Sequence, residues 1–324
     1  MANDLQALTP NGPMPNARAD LHGMTDLHAY PYPVHWHGSP GKALAYIDEG
    51  PPQARPTVLL HGLPTWGYVF RNVIPWLVQA GHRVLVPDLL GCGRSDKPGD
   101  PAAQGLGAQL DSLSQWAQAL GLHNTTLYGQ GLGGLLAFRL ALLQPDRVDR
   151  LVLANTRSPW DSRGRSRLSA MAAQWPAWSP LYPLNRVLRA ACQTRLDATT
   201  LQAYAAPYPE RHLLATVRRL SGWHQWDVRK EKNPEVTQAW LAMAMWHKPL
   251  LTLFSSRDHL TLGGQHWFID QVPGAKRQPH QLIHQAGHCL TEDKGPEVAL
   301  ALLQFIDRPQ VSLHLPNTSA WSET

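Results

Sequence analysis

Short apolar runs bounded by Gly, Pro and polar residues recur along the first half of the chain: Val58-Leu59-Leu60, Arg83-Val84-Leu85-Val86, Thr126-Leu127-Tyr128 and Leu151-Val152-Leu153. A segment long enough for a helix separates each run from the next. This alternation predicts a mostly parallel sheet with helices on its faces, an α/β fold. The pattern resumes late, with Leu250-Leu251-Thr252-Leu253-Phe254 and Gln281-Leu282-Ile283 as strands and Pro296 to Ile306 as a closing helix. From Thr156 to about Trp246 the strand signals vanish; the stretch gains Arg157, Arg163, Arg165 and Arg167 and carries six tryptophans between Trp160 and Trp240. It is expected to be a helical cap inserted after Leu153, lying over the strand ends where open α/β sheets place their sites. The expected division is an N-terminal arm over residues 1–40, a core over 41–155 and 247–307, a cap over 156–246 and a loose tail over 308–324.

Composition narrows the class. A chain of 324 residues with 43% hydrophobic content can bury a sizeable core. Its mean hydropathy of -0.30 and lack of a long apolar run argue against a membrane span. The polar stretch from Met1 to Asp20 lacks the apolar segment of a signal peptide, so the expected address is cytoplasmic. Cys92, Cys192 and Cys289 are spaced too widely for a disulfide framework or a zinc cluster, which predicts free thiols and no metal. The net charge of +5 comes with only 16% charged residues and no long basic run, which excludes nucleic acid as the expected partner.

Four segments carry candidate chemistry. His61-Gly62-Leu63-Pro64-Thr65-Trp66 follows a strand, so its glycine lets backbone N–H groups face a site above the sheet, with His61 and Trp66 as pocket candidates. Asp88 to Pro98 follows the next strand and reads mostly as scaffold, its Asp88 more suited to capping a turn than to catalysis. Late in the chain, Asp258 lies just past one strand and His288 just past the next. Adjacent strand ends can bring this acid and imidazole together as a general base. The fourth segment, Leu127 to Leu135, reads as a strand, a sharp turn and the start of a helix. It has the small flanking residues of a nucleophile elbow, yet the central position is Gly131, which has no side chain to lift.

Gly129, Gly131 and Gly134 also satisfy the G-x-G-x-x-G spacing of a dinucleotide site. That alternative is weakened by its place several strands into the sheet. The next strand ends at Asn155 without a ribose-binding acid, and Asp146 and Asp149 precede that strand.

Together, His61 to Trp66, Phe70 to Pro75, Asp88 to Pro98 and Ala203 to Pro209 resemble the haloalkane dehalogenases, in the subfamily whose catalytic acid follows a late strand. The resemblance runs from about Asp26 to Ile306 and implies an α/β-hydrolase fold with a helical cap and no cofactor. In that family an aspartate attacks the halogenated carbon, a histidine and an acid assist hydrolysis of the ester, and tryptophan N–H groups hold the halide. The family elbow reads Asp-Trp-Gly-Gly after Gln or His. Gln130 therefore matches its leading residue, Gly131 its nucleophile and Leu132 a halide-binding tryptophan. The resemblance implies Asp258 and His288 as acid and base, backbone donors at Gly62, Leu63 and Leu132, and Trp175 or Trp178 as the second halide contact.

Without a carboxylate at position 131 no alkyl-enzyme ester forms, so covalent dehalogenation is expected to be absent. Neither Cys92 nor Cys289 is placed to replace it. The expected roles are binding of a small apolar or halogenated ligand, or general-base catalysis by His288 and Asp258 on water or an acidic C–H.

Overall fold

The structure, a computed structural model, describes residues 27–157, 182–221 and 234–308. Trp175, Trp178, Arg163, Arg165 and Arg167, most of the expected arm and nearly all of the expected tail lie outside the described residues.

The strands are β1 (His35–His37), β2 (Leu44–Glu49), β3 (Pro56–Leu60), β4 (Arg83–Pro87), β5 (Thr125–Gln130), β6 (Val148–Ala154), β7 (Leu250–Ser255) and β8 (Gln281–Ile283). They form one sheet in the order β1-β2-β4-β3-β5-β6-β7-β8. From β4 to β8 every pairing is parallel, while β1 and β2 are antiparallel additions at one edge. The six apolar runs in the sequence are the six parallel strands. β3, β5 and β7 are buried at every position, as strands covered on both faces must be. β1 falls inside the stretch expected as an arm. His35-Trp36-His37 is three residues long and only partly buried, too brief to leave a strand signal.

Three helices follow the early strands: α1 (Ile74–Gln79), α2 (Leu106–Ala119) and α3 (Leu132–Leu143). Between β6 and β7 the regular elements of the described residues are all helical: α4 (Leu184–Ala191), α5 (Ala198–Ala205), α6 (Ala215–Ser221) and α7 (Pro234–Met243), with one short 3-10 turn (Arg211–Leu214). Trp240 of α7 is buried against Phe138 of α3, with ring centroids 4.4 Å apart, and packs on Trp267 and Phe268. This contact ties α7 to the helix that follows β5. The last helices are α8 (Gln265–Gln271) and α9 (Leu290–Ile306). Lys294 breaks the helical path of α9 two residues before Pro296, because a proline ring clashes with the carbonyl four residues earlier in a continuous helix.

The chain runs from β3 outward to β4 and then returns across β3 to β5. Strand order therefore reverses between β3 and β5, and such a switch opens a crevice at the carboxyl ends of the two strands. His61 to Leu63 and Gly131 leave the sheet at that crevice.

Candidate active site

Gly131 joins β5 to α3 with φ of 57° and ψ of -116°, a backbone state that side-chain-bearing residues adopt only under strain. Its N–H donates to the Ala154 carbonyl at 3.0 Å, which ties the turn to the end of β6. A Cβ at this position would stand 3.3 Å from His288 Nε2, 3.6 Å from His288 Cε1 and 4.0 Å from Gly62 Cα. Any side chain here would thus start beside the imidazole. Leu132 opens α3, where the first N–H groups have no acceptor within the helix. Leu63, buried on the neighbouring strand end, precedes a cis peptide to Pro64.

His288 and Asp258 are brought together by β7 and β8. The turn after β7 is held against the end of β8 by Ser256 N–H to Ile283 O at 3.0 Å and Arg257 N–H to Ala286 O at 3.1 Å. His288 Nδ1 lies 2.9 Å from Asp258 Oδ2. Beside a carboxylate, Nδ1 carries the proton, and this tautomer presents Nε2 to the side facing Gly131. Asp258 is 1% exposed and also accepts the Leu260 N–H at 2.9 Å and the Thr261 hydroxyl. Burial works to raise the Asp258 pKa, but the His288 charge and these hydrogen bonds outweigh it and hold the carboxyl below its ordinary range.

The loop carrying His288 is braced by residues without a catalytic signature in the sequence. Gln130 Nε2 and Asn155 Nδ2 both donate to the His288 carbonyl, at 2.9 and 3.0 Å. Asn155 also donates to Gly287 O at 3.1 Å and Ser255 Oγ at 2.8 Å, and accepts the Ser255 N–H at 2.8 Å. Thr291 Oγ1 donates to Gln130 Oε1 at 3.2 Å. The next residue, Glu292, receives Arg71 Nη1 and Nη2 at 2.7 and 2.5 Å and the Tyr204 hydroxyl at 2.5 Å. That buried cluster joins α9 to α5 and to the loop before α1. The sequence pattern flagged the segments around Arg71 and Tyr204, but not their meeting at Glu292.

The remaining expected residues take supporting positions. Gln130 is turned toward the His288 loop. His61 is fully buried, with Nε2 accepting the Leu89 N–H at 2.9 Å, so Nδ1 carries the proton and donates to Gly62 O at 2.9 Å. Burial pushes its pKa down. Trp66 is fully buried between Tyr30 and Tyr68, each 5.5 Å away by ring centroid, beside the Arg94 guanidinium. Asp88 accepts the Gly67 and Arg94 N–H groups, both at 2.8 Å, in a scaffold part. Cys92 is fully buried, and burial raises its pKa to about 12. A Cβ on Gly129 or Gly134 would overlap Gly133 or Thr156, so these two glycines serve close packing of β5 and α3 against their neighbours. Among the described residues no cluster of His, Cys, Asp and Glu could hold a metal, and no helix is long and apolar enough to cross a membrane.

Residues 56–294 match the alpha/beta hydrolase fold family. Over 285 residues the chain is 35% identical to a haloalkane dehalogenase of Mycolicibacterium paratuberculosis, covering 86% of this chain and 94% of that protein. The chain belongs to the haloalkane dehalogenase family. Its fold is similar to that of the haloalkane dehalogenase DpaA from Paraglaciecola agarilytica NO2, with a TM-score of 0.76, 24% identity and coverage of 92% of this chain and 100% of that one. Another relative of this dehalogenase-family chain is the cis-3-alkyl-4-alkyloxetan-2-one decarboxylase of Xanthomonas campestris pv. campestris, 34% identical over 298 residues, covering 83% of this chain and 94% of that one.

Proposed function

We propose that this family member lacks the covalent dehalogenation step, and that His288 with Asp258 acts as a general base on a small apolar or halogenated substrate without a cofactor. The observation that carries this reading is Gly131. Its Cβ direction points at His288 Nε2 from 3.3 Å, where an attacking aspartate would be expected, and glycine supplies no atom to attack. Leu132, in place of the family's tryptophan, supplies a backbone N–H but no indole donor. No neighbouring thiol replaces the carboxylate: burial raises the Cys92 pKa to about 12, and Cys289 is 1% exposed beyond the base.

The base half retains what proton transfer needs. Asp258 fixes the imidazole tautomer, and Nε2 can take a proton from a water or an acidic C–H lying over Gly131. The Leu63 and Leu132 N–H groups would oppose negative charge developing on a substrate oxygen. General-base assistance is worth about 10²- to 10⁴-fold, little for a carbon–halogen bond but enough for a strained lactone or activated ester. The Xanthomonas relative is named for an oxetan-2-one, a four-membered lactone, which makes that substrate class the first to try. The helices between β6 and β7 would then cover the substrate.

The test measures halide release from a bromoalkane and hydrolysis of a β-lactone in the wild type, His288→Ala, Gly131→Asp and Gly131→Asp/Leu132→Trp. The wild type is expected to release no halide and to open the lactone, His288→Ala to lose about 10²-fold or more of that rate, and the double variant to gain halide release. Halide release by the wild type refutes the missing-nucleophile reading. Ligand-induced stabilisation with no turnover of any substrate refutes the base and leaves a binding protein.

A further inference from the structure

Two of the three cysteines meet beside the base. Cys192 ends α4, and Cys289 follows His288. Cys289 N–H donates to the Ala191 carbonyl at 2.9 Å, so the two segments lie backbone to backbone. The Asp293 carboxylate accepts the Gln193, Thr194 and Gly287 N–H groups at 2.9, 2.7 and 2.7 Å and fixes their register on both sides of the contact. Cys192 and Cys289 therefore sit across this backbone contact from each other, Cys192 8% and Cys289 1% exposed. Cys92 is fully buried in the turn after β4.

We propose that Cys192 and Cys289 form an oxidation site that closes to a disulfide, linking the end of α4 to the residue after the base histidine. A hydroperoxide is the oxidant. The sulfur of Cys192, the more exposed thiol, attacks the peroxide and takes one oxygen; the O–O bond breaks, an alcohol or water leaves, and Cys192 becomes a sulfenic acid. The Cys289 sulfur then attacks that sulfenic sulfur, the S–S bond forms, and the hydroxyl departs with the Cys289 proton as water. Two thiols lose two electrons, and the peroxide gains them.

Contact favours closure more than nucleophilicity does. The neighbouring Cys289 thiol, burial and the nearby Asp293 and Glu292 carboxylates all push the Cys192 thiol pKa up. Attack on the peroxide is therefore slow at neutral pH. Once the sulfenic acid has formed, its partner is already in place and second-order competitors are shut out.

The experiment treats the reduced full chain with hydrogen peroxide, blocks remaining thiols with an alkylating agent, and maps tryptic peptides by mass. Alkylatable thiols should fall from three to one, with a Cys192–Cys289 peptide pair that dithiothreitol releases. A bridge closing a loop of about 100 residues should raise Tm by roughly 5 °C or more, reversibly. Cys192→Ser and Cys289→Ser should each abolish both changes, while Cys92→Ser should keep them. Sulfinic acid on Cys192 with Cys289 still alkylatable, a linkage through Cys92, cross-links between chains only, or three thiols surviving prolonged peroxide would each overturn the proposal. None of these readouts depends on turnover, so the pair can fail while the proposed base chemistry stands, or the reverse.

Discussion

The two sides of the crevice are built differently. On the elbow side, Gly131 and Leu132 present backbone and an aliphatic chain. On the base side, Asp258, His288 and Glu292 are joined to Gln130, Asn155, Arg71 and Tyr204 by a dense set of hydrogen bonds. The contrast follows from burial. Gly131 has no side chain, so no buried polar group depends on one at that position. Asp258 is 1% exposed and accepts from His288 Nδ1, the Leu260 N–H and the Thr261 hydroxyl, so removing it leaves donors unsatisfied in a dry interior. A substitution on the elbow side acts locally, whereas one on the other side disturbs polar groups that also hold the fold.

The contrast breaks first, and by the largest margin, at Glu292. Glu292→Gln leaves the buried Arg71 guanidinium without its carboxylate, and a destabilisation of about 3–5 kcal/mol is expected in urea unfolding. A loss below about 1 kcal/mol would make the base side no more structural than the elbow.

A smaller effect is expected at the elbow, and it sharpens the comparison. Gly131→Ala introduces a side chain at φ of 57° without adding any charge, and should lower stability by about 1–3 kcal/mol. Gly131→Asp should share that penalty, offset in part by its approach to His288. If neither variant shifts Tm, strain relief is not what glycine contributes at this position.

The smallest and most specific effect concerns pH. The Asp258 carboxyl is held below its ordinary range when folded, so the folded state binds fewer protons there than the unfolded chain. Stability from this group is complete above the unfolded value of about 3.9 and is lost as pH falls through the lower folded value. Asp258→Asn should therefore flatten the acid limb of the stability profile below about pH 4 while lowering stability at neutral pH. An unchanged acid limb would mean that other carboxylates set it.

Much of this was legible before folding. β3 and β7 stand out as largely apolar runs because they are buried at every position, whereas β6 carries Asp149 and Arg150 and β8 is a three-residue strand with Leu282 exposed. The order of glycine turn, acid and histidine, each just past a strand, was equally visible because parallel strands send all their carboxyl ends to one edge. Tertiary structure alone decided the rest. Asn155 and Gln130 converge on one carbonyl from different strand ends, and a hydrogen bond between residues 133 positions apart leaves no local periodicity to read. Trp240 packs against Phe138 and Phe268, a contact between residues about 100 and 28 positions apart that no local pattern announces. Cys192 and Cys289 looked like unrelated thiols until the fold set their backbones side by side. Sequence by itself determined which residues could do chemistry and which strands would carry them. The tertiary structure decided which of them touch, because distance in space depends on the path of the whole chain.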